Sequence, residues 1–370
     1  MKDCFKNQIL NEDLEYIFKS LNDKQKKSFE NSSILFTGCA GFLGFYFIHF
    51  FIKYSKELGI KKIIALDNFI LRKPLWLENL AKDYEELLKL YKFDIITDKI
   101  ESLEEAKEAN LIIHAASIAS PSFYRKYPIQ TLDANIWGLR SLLDFYKDKE
   151  IKGFLFFSSS EIYGDPVSSK IPTDEEYRGN VACIGPRACY DEAKRFGETM
   201  CYLFSLEHKM PITIARPFNN YGPGMSLDDK RVPADFAKSV LEARDIELLS
   251  DGLPTRTFCY IADAIAGYLK VLVYSEFDYF NIGIDKPELC VRDLANIYIK
   301  HAKDIFGLNL ELKFKKSDDK NYLTDNPNRR CPVIDKARNK LDYNPRILVD
   351  EGVKRFLQYL KFEKENGVLL

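Results

Sequence analysis

The stretch ILFTGCAGFLGFYF, Ile34 to Phe47, places Gly38, Gly41 and Gly44 between an apolar run and a longer helical one. Glycine spacing acquires meaning when a strand precedes it and a helix follows. Gly38 permits a tight turn, and Gly41 lets backbone approach a pyrophosphate at the helix N-terminus. Gly44 lets the helix pack close to the strand. Phe42 and Leu43 fall in the same turn and join the expected cofactor contacts. The next apolar run, KKIIALDN, ends in Asp67 and Asn68. A carboxylate at that strand end accepts both hydroxyls of an adenosine ribose and repels a 2′-phosphate. The reading is NAD rather than NADP, although Arg72 and Lys73 just beyond carry the opposite sign.

Further apolar strands follow at ANLIIHAAS, KGFLFFSSS and MPITIARPF, separated by amphipathic segments. This alternation predicts an α/β fold, a Rossmann-type doubly wound parallel sheet with a smaller C-terminal substrate-binding lobe. Residues 1–32 read as a helical extension lying outside the main sheet. The NAD-binding domain is expected over 33–216, with 257–283 returning to it, and the substrate lobe over 217–256 and 284–370.

The 370 residues are 46% hydrophobic, enough for a large core, and no stretch reaches the ~18 apolar residues of a membrane span. Lys+Arg 54 against Asp+Glu 55 gives no general attraction to nucleic acid or to an anionic membrane. Eight cysteines without a CxxC pair, and four histidines, predict reduced thiols in the cytoplasm and no metal site.

In GPRACYDEAKR, Tyr190 and Lys194 stand four apart and share one helix face. An ammonium beside a phenol favours the phenolate, which can take a proton from a sugar hydroxyl as hydride leaves the same carbon. The strand ending in FSSSEIYGDP supplies hydroxyls and one carboxylate, and Ser159 is the candidate to orient the reacting alcohol.

These motifs resemble the extended short-chain dehydrogenase/reductase superfamily. Within it, HAASIASPSFYRKYP, SSSEIYGDP, IGPRACYDEAKR, RPFNNYGPGM, RTFCYIADA and NPNRRCP look most like the UDP-glucuronate decarboxylase (UDP-xylose synthase) family, over about residues 33 to 360. The resemblance implies that Ser159 and Tyr190 hold and deprotonate the sugar, with Glu161 facing it and Lys194 on the nicotinamide ribose. It places Arg330 near the reacting carbons, and Asn219, Arg231 and Arg256 on the sugar diphosphate. Asp94 is expected at the adenine, and Ala115, Ala116 and Ser117 along the cofactor. Ser120, Tyr124 and Ser160 complete the expected substrate contacts.

The resemblance further implies a nucleotide-sugar substrate, a role in polysaccharide biosynthesis and a homodimer, with ETMCYLF (Glu198–Phe204) on a buried helix. Departures from the family pattern occur at Ile118 and Ser122, where proline is expected, at Gly224 for arginine, and at Val333 for aspartate. The expected reaction is decarboxylation of UDP-glucuronate through a 4-ketone, with NADH recycled internally. A 4,6-dehydratase and a 4-epimerase share its opening oxidation. A non-catalytic NAD-binding scaffold is the rival of another class, and intact Ser159, Tyr190 and Lys194 argue against it.

Overall fold

The computed structural model describes residues 5–315 and 327–368. Two helices come first, α1 (Gln8–Ser20) and α2 (Asp23–Ser28). The Asn7 side chain caps α1, accepting from the backbone N–H groups of Ile9 and Leu10. Then β1 (Ser32–Thr37), α3 (Phe42–Lys53), β2 (Ile60–Asp67), α4 (Leu75–Asp83), β3 (Leu88–Lys92) and β4 (Leu111–His114) alternate. The short helices α5 (Pro121–Lys126) and α6 (Pro128–Asp133) lead through one π turn into α7 (Leu139–Tyr146). Next come β5 (Gly153–Phe157), α8 (Ala188–His208) and β6 (Ile212–Pro217). The second half contains β7 (Asn220–Tyr221), α9 (Val232–Leu241), β8 (Ile246–Leu248), β9 (Thr255–Thr257), β10 (Cys259–Tyr260), α10 (Ile261–Leu272) and β11 (Asp278–Ile282). It ends with β12 (Glu288–Cys290), α11 (Val291–Phe306), β13 (Leu312–Phe314), β14 (Arg329–Arg330), α12 (Asp335–Leu341) and α13 (Val349–Glu365).

Seven strands form one sheet in the order β3-β2-β1-β4-β5-β6-β11, every pair parallel. β1, β4 and β5 are buried along their whole length, because helices cover both faces. The chain winds outward from β1 to β3 and then crosses back to β4. The topological switch point therefore lies between β1 and β4, beyond Thr37 and His114, and ligands of such sheets bind in the crevice there. β11 joins the sheet edge beside β6, although it lies far along the chain. Outside the sheet, β12-β9-β14 and β13-β8 make two small ladders, flanked by α9 and α11.

The N-terminal helices are packed into the body. Leu10, Leu14 and Ile17 recur at helical spacing on α1 and are buried against α3, α10 and α13. Between them sits Asp13, fully buried. Its Oδ2 accepts from the Tyr46 and Tyr260 hydroxyls, both at 2.6 Å. Its Oδ1 accepts from Arg355 Nε at 3.0 Å and Nη2 at 2.7 Å. One carboxylate thus ties α1 to the helix behind the glycine turn, to the end of β10 and to α13.

Candidate active site

A cavity of about 1000 Å³ opens at the switch point and continues between the sheet and the second half of the chain. At its floor the glycine turn leaves β1. Gly38 has φ 77°, and a Cβ there would lie 2.7 Å from the Ala115 backbone at the end of β4. A Cβ on Gly44 would lie 2.0 Å from the Cys39 carbonyl, so helix and turn touch. Gly41 is the N-cap of α3 and offers no side-chain cap, so the first backbone N–H groups of that helix are not met by one. Asp67 accepts from the N–H of Ala40 at 2.9 Å and of Phe69 at 2.8 Å, one on each oxygen. A carboxylate has about four lone-pair sites, so capacity for two ribose hydroxyls remains. Asn68 donates to Asp94 at 3.1 Å on the same rim. Phe42, Leu43, Ala115, Ala116 and Ser117 line the same arm of the cavity. The donor set, the close backbone and the anchored carboxylate fit a dinucleotide.

The sugar end is built from the turn after β5 and the start of α8. Tyr190 is buried and stacks on Tyr124, ring centroids 5.3 Å apart and 11° from parallel. Lys194, one turn on, donates to the Phe157 carbonyl at 2.6 Å and lies 5.6 Å from the Tyr190 ring centroid. Burial drives the Lys194 ammonium down to about 7. Burial likewise pushes the Tyr190 phenol up to about 12; a hydrogen bond with Ser159 opposes this, and the charges of Glu161 and Asp191 add to it. Helical spacing alone predicts that Lys194 eases phenol ionisation. In the protein by itself burial wins, and Arg231 is the cation that acts the other way.

Glu161 stands between two guanidinium groups, one oxygen accepting from Arg187 and the other from Arg330. Burial alone would raise its carboxyl, but Arg330 and then Arg187 overcome this and hold it at about 2. Arg256 joins them. It is the ladder partner of Arg330 across β9 and β14, and burial followed by repulsion from Arg330 lowers it to about 10. Arg256 donates to the Thr255 and Pro327 carbonyls. Ser159 Oγ accepts from the Glu161 N–H at 3.2 Å, and Ser160 is buried on the cavity wall.

Asn219 and Arg231 also line the cavity, Arg231 paired with Asp229 at 2.5 Å. Ser120 donates to the Asp229 carbonyl at 2.6 Å. Every candidate residue except Gly44, which packs against the Cys39 backbone, therefore lines one cavity. Three residues without an assigned role join them. Ser158, with a buried hydroxyl lacking a partner among the described residues, and Arg187 line the cavity, and Asp191 lies behind Arg187. The Arg187–Asp191 spacing of one helical turn was the available signal.

Comparison with known proteins supplies the family. The family model described as NAD dependent epimerase/dehydratase matches residues 34–283. The chain belongs to the NAD dependent epimerase/dehydratase family. Its sequence is 32% identical to UDP-glucuronic acid decarboxylase 3 of Arabidopsis thaliana, covering 87% of each chain. It is also 32% identical to UDP-glucuronic acid decarboxylase 1 of Xenopus tropicalis, over 94% of this chain and 75% of that one. UDP-glucose 4-epimerase of Thermotoga maritima superposes with a TM-score of 0.75 at 26% identity, over 90% of this chain and 99% of that one. UDP-glucuronic acid 4-epimerase of Bacillus cereus, solved with UDP-glucuronic acid and NAD, gives 0.71 at 25%, over 89% and 99%.

As a member of this family the protein is an NAD-dependent enzyme of the Rossmann type, and the four departures from the family pattern have structural settings. Ile118 packs with Tyr124 and Tyr190 in a small apolar cluster. Ser122 lies 3.3 Å from the Ser120 hydroxyl. The Phe45 ring fills the space a side chain at Gly224 would enter, since a Cβ there would lie 2.6 Å from it. Val333 uses its backbone, accepting from Asn281 at 3.1 Å and donating to Thr173 at 2.8 Å.

Proposed function

We propose that this enzyme decarboxylates UDP-glucuronate to UDP-xylose. The observation that carries this reading is the charge at the sugar end. Arg187 and Arg330 hold Glu161 between them, and burial pushes the Asp191 carboxyl behind Arg187 up to about 7, so near neutrality the two guanidinium groups are not fully balanced by carboxylate charge. A uronate brings its own carboxylate to that charge, whereas a neutral hexose offers there only the diphosphate that both kinds of substrate share. Ser160 beside it supports the same choice. Dehydration across carbons 5 and 6 needs an acid for the departing hydroxyl, and a serine hydroxyl is far too weak. It can instead donate a hydrogen bond to the substrate carboxylate.

Bound NAD supplies the hydride acceptor, later the donor, and a positive ring beside the phenol. Tyr190, with Ser159 orienting the alcohol, takes the O4 proton as the C4–H bond breaks. The ketone formed at carbon 4 is β to the carboxylate. The bond from carbon 5 to the carboxylate then breaks, its electron pair moves onto the carbonyl oxygen, and carbon dioxide leaves. Tyr190 and Ser159 hold that oxygen. Glu161 stays ionised between its arginines and orients a water that protonates carbon 5, with the proton drawn from solvent. Tyr190 finally returns its proton to O4. Asn219, Arg231 and Arg256 serve the diphosphate and its sugar, and residues 217–256 and 284–370 act as the substrate lobe.

Product mass tests the proposal. UDP-glucuronate should lose carbon dioxide, and dTDP-glucose should remain unchanged. Loss of water from dTDP-glucose, or a UDP-glucuronate product of unchanged mass, would reject it.

The working unit in this reading is a cytoplasmic homodimer. Phe196, Tyr202, Leu203 and Leu206 of α8 are about half exposed, and Trp137 and Ile129 beside α8 are more so, a patch suited to a second copy. The described cysteines are unpaired, consistent with a reducing compartment. Light scattering at micromolar concentration should give twice the chain mass.

A further inference from the structure

We propose that Asp191 is a positioning residue: it does not touch the sugar but shares Arg187 with Glu161, and gaining or losing its proton changes how readily Tyr190 takes one. Arg187 is the N-cap of α8 and Asp191 lies one turn on. Arg187 Nη2 donates to Glu161, while its Nε lies 3.5 Å from Asp191 Oδ2. Arg187 is 8% exposed and Asp191 5%. Arg187 Nε and Asp191 Oδ1 have no hydrogen-bond partner among the described residues. Buried polar atoms in folded proteins are hydrogen-bonded with few exceptions, and a catalytic role is one of the reasons an exception persists. Glu161, Arg187 and Tyr190 line the cavity, whereas Asp191 sits behind them. It can act on the reaction through its neighbours alone.

The groups facing Asp191 come from four elements. Glu161 comes from the turn after β5, Tyr124 from α5 and Arg330 from β14; Arg187, Cys189 and Tyr190 belong to the start of α8. Burial first, and the Glu161 charge second, push the Asp191 carboxyl up to about 7, with Arg187 and Arg330 opposing. Below that value Asp191 is neutral and Arg187 belongs to Glu161. Above it Asp191 is ionised, competes for Arg187, and sets a negative charge beside Tyr190. That charge is one of those holding the Tyr190 proton on. Asp191 therefore opposes phenolate formation on the basic side of neutrality and relaxes it on the acid side.

The inference rests on Tyr190 being the base of the oxidation, and not on which product follows. The test is kcat against pH for wild type, Asp191→Asn, Asp191→Ser and Asp191→Glu, with products identified by mass at every point. In the Asn and Ser variants the rising limb should move to lower pH by about one unit, the order of magnitude of one charge near a partly wet site. The Glu variant, which keeps the charge, should leave the limb within about a third of that shift. A limb that stays in place in a neutral variant, or moves as far in the Glu variant, overturns the proposal. The wild-type limb must itself contain two ionisations; a single one overturns it without any variant. A shifted limb with a dehydrated product would reject decarboxylation and support the role of Asp191. Carbon dioxide loss with an unmoved limb would do the reverse.

Discussion

Two carboxylates, fully buried Asp13 and partly buried Glu161, are each held by arginine, yet their surroundings differ. Around Asp13 the network is closed: two tyrosine hydroxyls and two arginine nitrogens meet its two oxygens, and Arg355 also pairs with Glu12 at 3.1 Å. Around Glu161 it is open. Arg330 Nε, Arg187 Nε, Asp191 Oδ1 and the Tyr124 hydroxyl are buried without partners among the described residues. The same chemistry makes a joint in one place and a site in the other. The difference is polar capacity left over beside a cavity.

The largest effect expected is on the open side. Tyr190→Phe removes the proton acceptor while keeping the ring that stacks on Tyr124. A positioned base contributes about 10²–10⁴-fold, so kcat should fall by that order with little change in thermal stability. A variant with near-normal turnover would mean that the base lies elsewhere.

Asp13→Ala should do the opposite. Breaking a buried pair while leaving its partners buried costs about 3–5 kcal/mol. Glu12 and Glu351 still face Arg355, so the lower end is expected, read as a fall in urea midpoint at pH 7. The folded fraction should keep its turnover. If Asp13→Ala lost activity without losing stability, the closed network would be part of the site.

How much of this contrast the sequence carries depends on chain separation. The glycine turn, Asp67 and the Tyr190–Lys194 pair lie within single strand–turn–helix units, where spacing alone fixes geometry. The alternation of strands and helices also predicts the sheet class correctly. Asp13 could not be read in that way. Its partners Tyr46, Tyr260 and Arg355 lie up to 342 residues away, and an acidic residue on a weakly amphipathic helix looks like a solvated face. The meeting of Arg330 with Glu161 spans 169 residues and is legible through the family resemblance alone, not through local spacing. The state of Tyr190 escaped for another reason: burial, which no local pattern reports, outweighs the nearby ammonium.

Glu161→Gln sharpens the comparison through pH. The Glu161 carboxyl is held at about 2 against an ordinary 4.5. A depressed carboxylate contributes stability that is present above its unfolded value and is lost as pH falls toward the folded one. Wild type should therefore lose part of its stability between pH 4.5 and 2, and Glu161→Gln should flatten that stretch of the acid-unfolding curve. Turnover at neutral pH should drop about a hundredfold, the lower end for a group acting on proton transfer. An unchanged acid limb would show that the pairing with Arg187 and Arg330 is not maintained in solution.

Asp67 stands between the two cases. Each of its oxygens is fixed by one backbone N–H, from Ala40 and from Phe69, and each keeps capacity facing the cavity. It is half joint and half site, so its removal should produce a smaller and divided effect. Asp67→Ala frees two N–H groups at the glycine turn and removes the acceptor for the ribose hydroxyls. Hydrogen bonds to a charged group contribute about 1.5–3 kcal/mol, which corresponds to about a tenfold or greater loss in NAD affinity. NADP affinity should fall less, because the repulsion of a 2′-phosphate disappears with the carboxylate, and Arg72 and Lys73 stand close by in sequence. Isothermal titration with both cofactors measures the two constants directly. The wild type should prefer NAD, and the variant should narrow the ratio. A ratio that stays the same, with both affinities lowered equally, would assign Asp67 wholly to the joint.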